Sequence, residues 1–426
     1  MNYIEAVNYI HSLLKFGIRP GLNGMDALLH FLGNPHKDLK YVHVAGTNGK
    51  GSTSTAISNV LTDAGYKVGL YTSPYVTDFL ERVQFCGKPI DKALFATCVK
   101  RVKNAVETLE KEEVTITEFE ALTASAFLCY KELQCDAVVL EVGLGGRLDA
   151  TNVIETPLVN VITSLSIDHS AILGNSIEEI AFEKCGTIKV NGNVVCSLGQ
   201  PESAKRVIEK TVKEKNNTLT IPCESDININ KSDIFGTEFI YKNEEYFVKM
   251  PGEHQVKNMT CVIEVCNILK KHFNISDENI KSGISKTILP ARVEIISKKP
   301  LVILDGGHNE DGAKAFYNTV LPQLEKKDKV IVIAGMMADK AVEESLKPLM
   351  LKTDVFFAVT PDNPRAMKAH DLAEIAIKYS KQVFTVQSIK EAVKISYAAA
   401  DENTAVLVVG SLYLAGEIRE TLLEIF

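Results

Sequence analysis

Short apolar runs rich in β-branched residues recur along the chain, and most are followed by stretches whose apolar positions return every three to four residues. In the first half the runs are YVHVA (41–45), KVGLY (67–71), AVVLEV (137–142), LVNVITSL (158–165) and NVVCSL (193–198). Continuous apolar runs of this length suit strands buried on both faces, and the helix-period stretches supply the crossovers of a largely parallel sheet. From 215 to 250 the rhythm breaks: the segment is rich in Asn and Lys and alternates in TEFIYKNEEYFVKM, which predicts antiparallel hairpins at one edge of the sheet. After Pro300 it resumes with LVILD (301–305), VIVIAG (330–335), DVFFAV (354–359), QVFTV (382–386) and AVLVVG (405–410), predicting five strands in a second, smaller unit. The expected class is therefore α/β in two units, 1–290 and 291–426, with the junction in ILPARVEIISKKP (288–300), where Pro and charged residues cluster.

Composition narrows the partners. Of 426 residues, 46% are hydrophobic and 24% charged, the balance of a globular protein. Acidic residues exceed basic ones by 54 to 47, a net charge of −7 that disfavours a nucleic-acid-coating surface. No apolar run reaches the roughly 18 residues of a membrane span, and Met1–Glu5 shows no secretory pattern, so neither a nucleic acid nor a membrane is an expected partner. The nine cysteines are scattered and never spaced C-x-x-C, which reads as reduced thiols in a cytoplasmic protein.

The sharpest local signal is VAGTNGKGST (44–53), placed after a strand and before the helical stretch that stops at Gly65. Glycines here let backbone N–H groups close around phosphate oxygens, and the helix N-terminus adds partial positive charge. Asn48, Gly49, Lys50, Gly51 and Ser52 are the candidate nucleotide contacts; Lys50 would reach the β/γ-phosphates and Ser52 or Thr53 would offer a hydroxyl to Mg²⁺. Gly51, inserted between Lys50 and Ser52, departs from the common P-loop. Such a loop needs a metal-binding carboxylate at the end of a neighbouring strand. Glu141, closing AVVLEV, is the candidate, the alternative being a water-facing glutamate on an edge strand. Asp168 and His169 follow another strand's carboxyl end, where open α/β sheets place ligands; His169 is either a metal ligand or a structural histidine. By local sequence Lys184 is a solvated helix lysine.

Taken together, SLLKFGIRPGLNGM, HVAGTNGKGST, LYTSPYVTDFLERV, EFEALTASAF, LEVGLGGRLDATN, SIDHSAILG, IAFEKCGTIK, HQVKN, LPARVE, LDGGHNEDG, TPDNPRAM and VVGSLYLAGEIR resemble, in order, the folylpolyglutamate synthase/dihydrofolate synthase family of the Mur ligase superfamily. The resemblance implies a Mur-type ATPase domain with a mainly parallel sheet, joined to a Rossmann-like C-terminal domain, with substrates held between them. It implies two Mg²⁺ ions, ligated by Ser52, Ser73, Glu141 and His169, with Lys184 carbamylated by CO₂ as partner of the second. Asn258 would lie on the adenine side, Arg292 at the nucleotide phosphates and Asp305 on the ribose side. Phe119, Glu120, Arg147, Leu148, Asp149 and Ala150 would form the pterin pocket, although core packing is an equal reading of Phe119. His308 would meet the incoming glutamate or the acyl phosphate, and Ser411 is a further candidate for that site. Asp339-Lys340-Ala341 departs from the family's D-K-D.

The implied reaction is ATP-dependent amide formation: a folate or dihydropteroate carboxylate takes the γ-phosphoryl group, and L-glutamate displaces phosphate. Lys50, His169, Lys184 and His308 are the expected catalytic residues, acting mainly by positioning and charge neutralisation, and the family is usually monomeric. GGRLDATN resembles the bifunctional pattern, which accepts dihydropteroate as well as folates; an extension-only synthase is the alternative. Asn230-Lys231-Ser232-Asp233 spells a guanine-reading N-K-x-D, but it lies in a polar stretch with no buried strand before it, so a GTPase is set aside. A peptidoglycan-precursor ligase is opposed by GGRLDATN and GSLYLAGEIR.

Overall fold

A computed structural model describes residues 1–307, 310–338 and 342–426. The N-terminal sheet comprises β1 Tyr41–Ala45, β2 Val68–Tyr71, β3 Val83–Phe85, β4 Lys88–Pro89, β5 Ala137–Glu141, β6 Val159–Ile162, β7 Asn193–Cys196 and β8 Thr218–Thr220. Their spatial order is β4-β3-β2-β5-β1-β6-β7-β8. The six strands from β2 to β8 run parallel, and β3 and β4 extend the sheet antiparallel. Both faces are covered, as a parallel sheet requires. Val138, Leu140 and Tyr71 pack under Phe95 and Phe127 on one side. On the other, Val42, Val44, Val139 and Val161 meet Ile57 and Val60 of the helix Lys50–Asp63 and Val262 of the helix Glu253–Leu269.

The polar segment after 215 departs from expectation. Thr218–Thr220 joins the main sheet as a parallel edge strand, while β9 Ile227–Asp233, β10 Gly236–Tyr241 and β11 Glu244–Val248 form an antiparallel sheet of their own. The apolar side of its alternation, Phe239, Tyr241, Tyr246 and Val248, packs into the core around the helix Glu253–Leu269, which draws it off the main sheet. Asn230, Lys231 and Ser232 are exposed on β9. Ser232 pairs with Thr237 and Lys231 with Asp233, so N-K-x-D serves a hairpin.

Among the described residues the C-terminal sheet has six strands, one more than expected: β12 Glu294–Lys298, β13 Leu301–Leu304, β14 Lys329–Ala334, β15 Val355–Ala358, β16 Gln382–Thr385 and β17 Thr404–Val409, in the order β12-β13-β17-β14-β15-β16. The extra strand, β12, runs antiparallel to β13 from within the expected junction. Its residues are half-buried, with Lys298 exposed, so it lacks the apolar run that marks the other five.

Candidate active site between the two sheets

Because β2, β5, β1 and β6 are neighbours, their carboxyl ends bring together Ser73, Glu141, the loop 46–51 and the segment 164–169 at one rim of a cleft. The opposite wall comes from the carboxyl ends of β13 and β17, with Asp305 and Ser411.

The phosphate loop is tightly determined. The N–H groups of Thr47 and Asn48 both reach the carbonyl of Ser164, at 2.8 and 3.2 Å. The Asn48 amide donates to Ser166 Oγ at 3.2 Å. Lys50 Nζ folds back on the carbonyls of Gly46 and Thr47 at 3.1 and 3.0 Å. Gly49, at φ 86°, caps the helix Lys50–Asp63, and a Cβ there would stand 2.4 Å from Asn258 Oδ1. That close approach sets Asn258 on the loop, with its amide nitrogen on Gln255 Oε1 at 3.0 Å. Ser52 is buried in the helix's first turn.

Glu141 is 3% exposed on a central strand, so it is not a water-facing edge residue. Burial pushes its carboxyl up to about 7, opposed by Lys50, the Ser73 N–H at 3.3 Å, Arg292 and Arg82. Lys50 from the loop and Arg292 from the opposite wall line the same cleft as this carboxyl. Lys184 is 5% exposed, which overturns its reading as a solvated lysine. Its amine lies under the loop, donating to the Gly46 carbonyl at 2.8 Å. Burial and then Lys50 push it down to about 7, against the pull of Asp168 and Asp149. His169 lies on the cleft wall at φ 51°, its ring half-exposed and 3.9 Å from the Asp168 carboxylate.

The expected pterin residues line the same cleft, but several of their polar atoms already have work. Glu120 accepts from the N–H and hydroxyl of Thr117 at 2.8 and 2.7 Å, capping the helix Glu118–Glu132. Asp149 accepts from Leu144 N–H at 2.8 Å and from Thr151 N–H and hydroxyl at 3.0 and 2.5 Å, folding the loop 143–150. The Arg147 guanidinium is held by Glu183 at 3.1 and 2.8 Å and lies over the Phe182 ring, so it docks the loop onto the helix that carries Lys184. Leu148 and Phe119 remain part-exposed in the cleft and Ala150 is buried. A Cβ on Gly143 would stand 2.4 Å from Phe119 Cζ.

Across the cleft, Asp305 accepts from the N–H groups of Val293 and Gly307, at 2.9 and 2.8 Å, holding the turn that carries Arg292. Ser411 spends its hydroxyl on Gly335 O and Leu414 N–H. His308 and the segment Asp339–Ala341 lie outside the described residues. Sequence reasoning missed Arg82. It is buried, paired with Glu118 at 2.9 Å and set over the Phe119 ring at 5.6 Å. The signal was an arginine closing the FLER turn, a type rarely buried without a purpose.

All nine cysteines are free thiols, seven of them buried. Among the described residues no helix is long and apolar enough to cross a membrane, and no three His, Cys, Asp or Glu side chains cluster as a metal site.

Comparison with known proteins defines the class. The Mur ligase middle domain matches residues 44–266, and the Mur ligase glutamate ligase domain matches 291–412. The chain is 38% identical over 430 residues to the dihydrofolate synthase/folylpolyglutamate synthase of Bacillus subtilis, covering 99% of both. It is 35% identical over 440 residues to the folylpolyglutamate synthase of Lacticaseibacillus casei, again covering 99% of both. The solved structure of E. coli FolC in complex with DHPP and ADP matches with a TM-score of 0.85 at 28% identity, over 99% of this chain and 98% of that one. Two Mur ligase domains around one cleft make this a Mur-type ligase. The chain belongs to the folylpolyglutamate synthase/dihydrofolate synthase family.

Proposed function

We propose that the protein is an ATP-dependent ligase that joins L-glutamate to folates and, as its first acceptor, to dihydropteroate. The observation that carries this is that Lys50 of the phosphate loop, the buried carboxyl of Glu141 and Arg292 of the opposite wall line one cleft. A cleft lined by such cations and a carboxylate suits a reaction in which nucleophile, transferred group and leaving group are all anionic.

The residues present fit magnesium. Ser52 and Ser73 offer hydroxyls and Glu141 a carboxylate, the hard oxygen donors Mg²⁺ takes, and a buried carboxyl pushed up to about 7 is held ionised at neutral pH by such a cation. When bound, Mg²⁺ would supply Lewis-acid stabilisation of phosphoryl oxygens. His169 and Lys184 would hold the second ion. A buried lysine lowered to about 7 presents a substantial fraction of neutral amine near neutral pH. That amine adds to CO₂ with loss of one proton, giving the carbamate oxygens an amine lacks.

The chain's own groups then act in sequence. Lys50 and the loop N–H groups orient the triphosphate, and Asn258 holds its adenine side. An oxygen of the substrate carboxylate attacks the γ-phosphorus as the bond to the β-phosphate oxygen breaks, releasing ADP. Arg292 offsets charge on that face. The glutamate amine attacks the acyl carbon, loses a proton, and phosphate departs. The part-exposed Phe119 ring beside Gly143 supports the acceptor end as a flat stacking surface, and Arg147 serves that end by fixing the loop 143–150. The protein is expected to work as a monomer, as members of the family it resembles usually do.

The test is ADP release by the purified protein with ATP, Mg²⁺ and L-glutamate, with dihydropteroate or tetrahydrofolate added in parallel. Turnover with both supports the bifunctional reading. Turnover with tetrahydrofolate alone makes it an extension-only synthase, and silence with both rejects the assignment of these acceptors.

A further inference from the structure

Arg292 is presented by unusual backbone. Its neighbours Ala291 and Val293 sit at φ 54° and 46°, and a β-branched residue in the left-handed region is a marked outlier. Such backbone persists only where the surroundings over-determine it. Here they do. The Gly306 N–H donates to the Ala291 carbonyl at 2.8 Å, and Val293 N–H to Asp305. Ala291 N–H donates to Glu294 Oε2 at 2.9 Å. The Glu294 carboxylate is in turn gripped by Arg419, with Nε at 3.1 and 3.0 Å from its two oxygens and Nη2 at 2.7 Å.

Arg419 lies on the helix Leu412–Ile425, and Gly416 precedes it by three residues on the same face. A Cβ on Gly416 would stand 2.0 Å from the Val76 carbonyl oxygen, so the N-terminal domain rests directly on this helix there. Val76 belongs to the loop that begins at Ser73. That loop is wound around Glu81, whose carboxylate accepts from the N–H groups of Val76, Thr77 and Asp78 at 2.7, 3.0 and 2.9 Å.

We infer that Arg419 and Glu294 are positioning residues for Arg292. Through them the helix Leu412–Ile425 sets the arginine against the loop of Ser73, so that both walls of the site are held from one rod. The pair touches no reacting atom; it acts by keeping the 291–293 turn in the conformation that aims Arg292 into the cleft. The inference rests on reading Arg292 as the cation that faces the nucleotide phosphates.

The test is a double-mutant cycle on the full chain, with kcat, KM for ATP, ADP affinity by calorimetry and melting temperature measured for each variant. Arg419→Ala and Glu294→Gln are each expected to lower kcat about tenfold to a hundredfold, the scale of a misplaced catalytic group. ADP affinity should hold, and Arg419→Lys should fall between Arg419→Ala and the parent. In Arg292→Ala the further change Arg419→Ala should cost almost nothing, because the group it positions is gone. Losses that add in the double variant, or parental kcat in Arg419→Ala and Glu294→Gln, would overturn the positioning role alone. Parental kcat in Arg292→Ala would overturn the reading of Arg292 and this inference with it. Should Arg419→Ala fail to fold, Glu294→Gln and Arg419→Lys complete the cycle.

Discussion

The amine of Lys184 donates to the carbonyl of Gly46 across 138 residues of sequence, tying the end of one helix to the first glycine of the phosphate loop. The bond places a lysine of lowered basicity beneath the loop rather than in water.

Lys184→Ala should therefore lower turnover by about a hundredfold or more, the loss expected when one charge-stabilising group leaves a closed site. The circular dichroism spectrum should match the parent. Near-parental rates in this variant would remove Lys184 from the chemistry.

The carboxyl of Glu141, raised to about 7, gives a proton-linked signature. Below about 7 it holds a proton that a cation must displace, so Mg·ADP binding at pH 6.5 should release protons and weaken as pH falls. Calorimetry in buffers of differing ionisation enthalpy measures this directly. Glu141→Gln should lose the extra proton release and weaken the Mg²⁺ dependence; identical proton counts in the two proteins would point to another carboxylate.

His43 is fully buried on β1, bonded to Thr151 at 2.9 Å, and burial lowers its pKa to about 3. The unfolded chain binds a proton at this histidine near its ordinary value of about 6.5, while the folded chain does not. Its contribution is complete above about 6.5 and is lost as pH falls toward 3. Each unit in that window costs about 1.4 kcal/mol of stability. Urea unfolding at pH 7 and 5 should show a shallower fall for His43→Asn than for the parent. Equal slopes would mean that His43 does not report its burial in this way.

Gly143→Ala tests the acceptor end. The added methyl would stand 2.4 Å from the Phe119 ring and must move it. KM for dihydropteroate should rise about fivefold, on the scale of a stacking contact worth about 1 kcal/mol, with KM for ATP unchanged. A matching rise in both would show that the substitution disturbs the sheet end as a whole.

Much of the fold was legible because its central strands are buried on both faces. Runs such as AVVLEV and AVLVVG have few other readings, and the helix-period stretches between them imply parallel crossovers. What escaped was half-buried: β12 lies at a sheet edge, and β9 to β11 take their place from packing on a helix, which alternation alone does not reveal. The site split in the same way. The 46–51 loop and Glu141 were visible because glycines and a buried carboxylate are costly without a purpose. Lys184 could not be placed by local sequence, since its burial depends on a loop far away in the chain. Arg147 and Glu120 were expected to face substrate, yet their charged atoms are engaged, Arg147 by Glu183, which only folding brings near, and Glu120 by Thr117 in a local capping box.

The shared helix face of Gly416 and Arg419 also bears on how ATP is conserved. With the Ser73 loop and the Arg292 turn both seated on one rod, the positioning role inferred for Arg419 means that a shift of that rod disturbs both together. A half-assembled site then lacks its arginine and its serine loop at once, which leaves little scope for spilling a phosphoryl group onto water before the acceptor is in place.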